Sequence, residues 1–310
     1  MGAIFFAFVV VGLVVAICFH IYFFIHRKEK VVKKTSPIFG QLILVGIDLV
    51  LISQILWDVT QSTPVCILKL WTLCLGFGLI MGNLLAKTYR IFKIFNNIRV
   101  TSLVIRDTDL LKFSGLVLLG EVILLSVYTF IVPWPSPVVV QSESDSLLQF
   151  VICKCPDPSI QTGLNIALIA YNACLVLAGV VIAYLTRNVD SAFNESQYIA
   201  ITMYIYLLAG IILIPLYYTA GDSQSSIDRQ FVLRCLGITL SMYFSLIALF
   251  VPKIIAVEED KKERRREEKE RGGRGGSEGS THHITELSST GAGGSTTGYG
   301  TSRTGRSSSM

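Results

Sequence analysis

Apolar residues in this 310-residue chain come in seven long runs broken by short polar stretches. The runs cover about residues 3–25, 39–57, 65–86, 113–132, 163–185, 199–219 and 233–256. A hydrocarbon core of roughly 30 Å takes about 20 residues of helix to cross. Each run therefore predicts one transmembrane helix, and the first 257 residues predict an all-α bundle of seven spans. An odd number of spans places the two ends of the bundle on opposite faces of the membrane. That narrows the function to receptors, rhodopsin-like pumps and a few transporters.

Composition agrees, with 52% hydrophobic and 16% charged residues. The formal charge of +5 changes the picture only through its placement. Five basic residues follow span one (Arg27, Lys28, Lys30, Lys33, Lys34), and six follow span three (Lys87, Arg90, Lys93, Arg99, Arg106, Lys112). Residues 58–64 hold none, 133–162 only Lys154, and 220–231 only Arg229. Basic loops stay on the cytoplasmic side, so the pattern predicts an extracellular N-terminus and a cytoplasmic C-terminus. The charge is a topology signal rather than a nucleic-acid surface. A signal peptide would carry its basic residues before the apolar run; here they follow it, as in a reverse signal-anchor.

After Val257 the pattern ends. Residues 258–271 are a dense mixed-charge run, and the rest to Met310 is rich in Gly, Ser and Thr. The charged run suits a solvated helix with i,i+4 ion pairs and lacks the apolar seam of a coiled coil. The remainder buries too little apolar surface to fold alone and is expected to be a disordered cytoplasmic tail. Asn194-Glu195-Ser196 matches a glycosylation acceptor, but the topology puts it inside, where no glycan is added.

Four cysteines (Cys18, Cys74, Cys174, Cys235) lie within spans and read as small apolar fillers. Cys66 opens span three on the outer side, and Cys153 and Cys155 lie in the outer loop before span five, so a disulfide from that loop to Cys66 is expected in an oxidising compartment. Cys-Lys-Cys lacks the spacing of a structural zinc site. Two acids stand inside spans, Asp48 and Glu121, where an ionisable group is costly and suggests function by default. Each could be a neutral or hydrogen-bonded acid facing the bundle, Asp48 reaching polar groups such as Asn83. Glu121 could equally face lipid or a dimer partner. No phosphate loop, His-Glu-x-x-His or Ser-His-Asp set is present, and no cofactor or enzyme activity is expected. The four histidines are His20 in span one, His26 beside the first basic loop, and His282-His283 in the tail.

Motifs at the cytoplasmic ends, taken in order, resemble the transmembrane domain of class C G-protein-coupled receptors, nearest to the GABA type B branch. They are Ser36-Pro37 opening span two, Cys66 with Trp71 and Leu75-Gly76-Phe77 in span three, and its exit Lys87-Thr88-Tyr89-Arg90. Thr186-Arg187-Asn188-Val189 closes span five, Asn194-Glu195-Ser196 opens span six, and Phe250-Val251-Pro252-Lys253 closes span seven. Thr202-Met203-Tyr204 is similar to metabotropic glutamate receptors, but this chain has Leu207-Leu208-Ala209-Gly210 where they carry a Trp. The resemblance implies a multi-pass plasma-membrane receptor that forms homo- or heterodimers and signals to a heterotrimeric G protein. The expected contact surface is Lys87, Arg90, Lys93, Arg187 and Lys253. It also implies that Lys87 and Glu195 form a lock on the inactive state, and that Cys66 bonds Cys155, with Cys153 as second choice. Opposite charges about 4 Å apart gain roughly 4 kcal/mol gross at an effective dielectric near 20, less desolvation. Alone, Lys87 could simply snorkel to the headgroups.

Family members carry a large extracellular ligand-binding domain, whereas this chain begins two residues before its first span. Either it is a truncated form, or a ligand is sensed by the spans or by a partner. Two other functions compete: a transporter or proton carrier using Asp48 and Glu121, and a non-signalling partner subunit. A retinal-type pump needs a Lys deep in span seven, and Lys253 lies at the membrane edge.

Overall fold

The computed structural model describes residues 2–29, 32–33, 36–59, 61–95, 106–131, 136–141, 149–154, 157–186, 194–219 and 224–281. Seven helices follow in order: α1 (Gly2–Ile25), α2 (Pro37–Asp58), α3 (Thr63–Phe95), α4 (Asp107–Ile131), α5 (Pro158–Leu185), α6 (Asn194–Thr219) and α7 (Gln224–Thr281). All seven contain a stretch long and apolar enough to cross a membrane. The protein is a multi-pass helical membrane protein. Only 17% of α1's apolar stretch is buried, and α4 exposes Leu116, Leu119, Ile123 and Phe130. Helices this apolar with so much of it outward have hydrocarbon as their solvent.

Helix α3 is the hub, packing against α2, α4, α5 and α6. Its tightest crossing is with α2, where two glycines meet. A Cβ on Gly46 would fall 2.7 Å from the Gly76 carbonyl oxygen, and one on Gly76 equally close to the Gly46 oxygen. Lipid tails are as apolar as the side chains, so close backbone approach at small residues supplies the attraction between such helices. Beside this crossing lie the fully buried Leu44, Ile47, Leu51, Ile80, Met81 and Leu84. Helix α7 closes the bundle through Phe250, which stacks on Phe19 and meets Phe23 of α1. The hydroxyls of Tyr206 in α6 and Ser245 in α7 are 2.7 Å apart.

Two features depart from expectation. The loop 133–162 contains an antiparallel hairpin, β1 (Ser136–Gln141) and β2 (Gln149–Lys154), registered from Ser136 opposite Lys154 to Gln141 opposite Gln149. Its Val138-Val139-Val140 and Phe150-Val151-Ile152 runs have the β-branched and aromatic character of strands but are too short to stand out beside helical spans. Second, α7 continues to Thr281, past Arg271 where order was expected to stop. Helix propagates onto an existing helix far more readily than it nucleates.

Contacts divide the chain into two compact units, Met1–Glu258 and Glu259–Met310. In the second, Arg264 pairs with Asp260 at 2.6 Å, an i,i+4 ion pair of the expected kind.

Candidate functional site: an ion network at one end of the bundle

Three helix ends bring the charged groups together. Helix α3 is 33 residues long, about 50 Å at 1.5 Å per residue. It therefore stays helical beyond its apolar run and carries Lys87, Arg90 and Lys93 on a rigid rod. Helix α6 begins at Asn194, five residues before its apolar run, so Glu195 sits in its first turn. The partial positive charge of a helix N-terminus favours an acid there. In α7, Pro252 lies inside the helix and can donate no backbone hydrogen bond; Lys253 is the next residue.

The Lys87 Nζ lies 2.6 Å and the Lys253 Nζ 2.8 Å from the same atom, Glu195 Oε1. The side chains of Lys87, Lys253 and Glu195 are only 9%, 16% and 25% exposed. One acid thus joins α3, α6 and α7, leaving a surplus positive charge in a mostly buried place. The sequence expected the Lys87–Glu195 pair. It missed Lys253 as a member because it assigned that lysine only to the expected G-protein contact surface.

A second polar cluster joins the starts of α2 and α4 to α3. Arg90 Nη1 donates to Ser36 Oγ at 2.9 Å and to Asp107 Oδ1 at 3.0 Å. Ser36 Oγ itself donates to the Asp107 carboxylate at 3.2 and 3.3 Å. Ser36 has φ of 52°, a left-handed conformation unusual for a residue before proline, and its buried side chain is held by these bonds. The Arg90–Asp107 pair is 36% and 49% exposed, so the pair contributes little stability by itself. Lys93 is exposed, 5.7 Å from the Tyr89 ring centroid. Arg187 lies outside the described residues.

The two intramembrane acids have different surroundings. Asp48 does not use Asn83, whose Nδ2 donates to the Leu79 carbonyl within its own helix. Asp48 Oδ2 instead lies 2.9 Å from His20 Nε2 of α1, and His20 Nδ1 is 2.6 Å from Gln41 Oε1. A His in one span and an Asp in the next was the available signal. Glu121 is fully buried and faces the bundle, not lipid.

At the opposite end Cys66 bonds Cys153, with Cα atoms 5.9 Å apart. This corrects the first choice, Cys155, which lies outside the described residues. Counting back along a helix and a loop cannot resolve a two-residue difference. The hairpin decides it, because β2 holds Cys153 in register opposite Pro137 and within bonding distance of Cys66 on α3. Beside the bridge, Lys69 Nζ donates to Gln61 Oε1 at 2.8 Å and lies 3.9 Å from the Trp57 ring centroid. Trp71 Nε1 donates to Thr129 Oγ1 at 2.9 Å, tying α3 to α4.

The model of one family, described as "7 transmembrane sweet-taste receptor of 3 GCPR", matches residues 1–253. The chain belongs to the class C G-protein-coupled receptor family. It is 30% identical over 230 residues to metabotropic glutamate receptor-like protein H of Dictyostelium discoideum, covering 74% of this chain and 29% of that protein. It is similar also to gamma-aminobutyric acid type B receptor subunit 2. Identity is 27% over 256 residues in Caenorhabditis elegans (79% of this chain, 30% of the relative) and 28% over 265 residues in Homo sapiens (81% and 28%). The match spans under a third of each relative's length. The GABA type B and glutamate-like branches of the family are thus both represented among its relatives, and family members are receptors rather than enzymes.

Proposed function

We propose that this chain is the signal-transmitting membrane part of a GABA type B-like receptor, passing an extracellular or partner-subunit signal to a heterotrimeric G protein. The observation that carries this reading is the convergence of Lys87 and Lys253 on one oxygen of Glu195, between three helices. The network locks the inactive arrangement. A change of packing at the far end that draws α6 from α3 breaks the contact, and a bias of one or two kcal/mol is enough to shift a two-state equilibrium. The freed end, with Arg90, Lys93, Arg187 and the released lysines, faces the cytoplasm and takes the G protein. The N-terminus is extracellular, the membrane is the plasma membrane, and the receptor works as a homo- or heterodimer with a class C subunit. The first 257 residues form the receptor domain and 258–310 a cytoplasmic tail.

The test is nucleotide exchange on a heterotrimeric G protein at matched surface expression. Lys87→Ala and Glu195→Ala should each raise basal exchange. Exchanging the charges, Lys87→Glu with Glu195→Lys, should restore it only in part, because the new Lys at 195 meets Lys253. Unchanged basal exchange in both single variants, in cells where the parent couples, would overturn the lock.

A further inference from the structure

His20 and Asp48 face each other between α1 and α2, and the signalling site uses neither. Asp48 Oδ2 lies 2.9 Å from His20 Nε2, and the His20 and Asp48 side chains are 22% and 18% exposed. On the other side of the ring, His20 Nδ1 lies 2.6 Å from Gln41 Oε1 of α2. Both ring nitrogens thus meet acceptor oxygens. A neutral imidazole has one N–H and serves one of them; an imidazolium serves both. Turning the Gln41 amide would let its own N–H donate to a bare Nδ1 and satisfy a neutral ring equally well. Hydrogen bonding therefore allows two arrangements, one proton apart.

Charge separates them. Asp48 Oδ1 is buried and has no hydrogen-bond partner among the described residues. With a neutral ring, Asp48 would stand as an unbalanced carboxylate inside the bundle, which is costly in hydrocarbon. With a charged ring the pair is neutral overall, and each ring N–H has an acceptor. Among the described residues Asp48 is the charged group that acts on the ring. Tyr22, two residues on and so on another side of α1, turns to Glu258 of α7 at 3.4 Å. Gln41 also lines a cavity with Ser36, Phe250 and Lys253, and that lysine is held by Glu195. The cavity gives water a way to the Gln41 side of the ring.

We propose that His20 and Asp48 form a proton-binding site that fastens α1 to α2. The proton, taken from water, sits on His20 Nδ1 and is donated to Gln41 Oε1, while the Nε2 hydrogen is donated to Asp48 Oδ2. Drawing α1 from α2 hydrates the ring and weakens its hold on the proton, so acid favours the packed arrangement. Nitrogen NMR of the histidine-labelled full chain in lipid nanodiscs tests this. The chain has four histidines, and His26→Gln, His282→Gln and His283→Gln leave His20 as the one that reports. At about pH 7.5, where a free histidine of pKa about 6.5 is mostly neutral, both His20 nitrogens should carry hydrogen. Adding Asp48→Asn, which keeps the shape without the charge, should leave one nitrogen bare at the same pH. One bare nitrogen with Asp48 in place overturns the proposal, and that result does not depend on the Asp48 variant folding. A ring that keeps both hydrogens in Asp48→Asn overturns it too, because the proton would then not belong to the pair.

Discussion

The two ends of the bundle are held by different chemistry. At one end Cys66 and Cys153 fix the hairpin to α3 covalently, across 87 residues of sequence. At the other, three helices meet on a single carboxylate oxygen. A covalent bridge has one setting unless it is reduced, whereas an ion network can open and close within a few kcal/mol. Helix α3 belongs to both ends, through Cys66 at the bridge and Lys87 in the network.

The comparison breaks first at Glu195. Glu195→Ala leaves two mostly buried lysines facing each other, and loss of one partner of a buried pair costs about 3–5 kcal/mol. Thermal denaturation of this variant should show the largest loss of the set. Lys253→Met is the contrasting case: it removes the surplus charge and leaves the Lys87–Glu195 pair, so its stability should stay near the parent's. If the two variants lose stability equally, the three charges do not act as one network.

The pinned end comes next. Cys66→Ser or Cys153→Ser should lower stability by about 2–4 kcal/mol, whereas Cys155→Ser should leave the bridge intact in non-reducing peptide mapping. A Cys66–Cys155 peptide would move the bridge and the pin with it. Between the ends, Gly76→Ala forces α2 and α3 apart at their closest approach, an overpacking cost of about 1–3 kcal/mol, read by thermal denaturation. The smallest effect is on topology. A tag after Met310 should be reached only after permeabilisation, and Asn194 should carry no glycan; a glycan there would exchange the inside and outside of the two ends.

Much of this was legible in the sequence, and the reasons are local. Seven apolar runs announce seven helices because each run must bury its backbone bonds internally in hydrocarbon. Lys87 and Glu195 could be named as a pair because the resemblance to class C receptors implies a lock between them; the apolar runs alone place them only at the close of one span and the opening of another. The hairpin could not, since short strands have no comparable signal and depend on pairing across a loop.

Sequence by itself therefore determined the number of spans, the membrane as solvent and the family, all of which follow from patterns read along the chain. Tertiary structure alone decided the partners. It put Lys253 on the same oxygen as Lys87, matched Asp48 with His20 rather than Asn83, chose Cys153 over Cys155, and set Glu121 beside Asn172. Each choice depends on the rotation and depth of one helix against another. Those are fixed by packing at residues such as Gly46 and Gly76, and no spacing along a single chain records them.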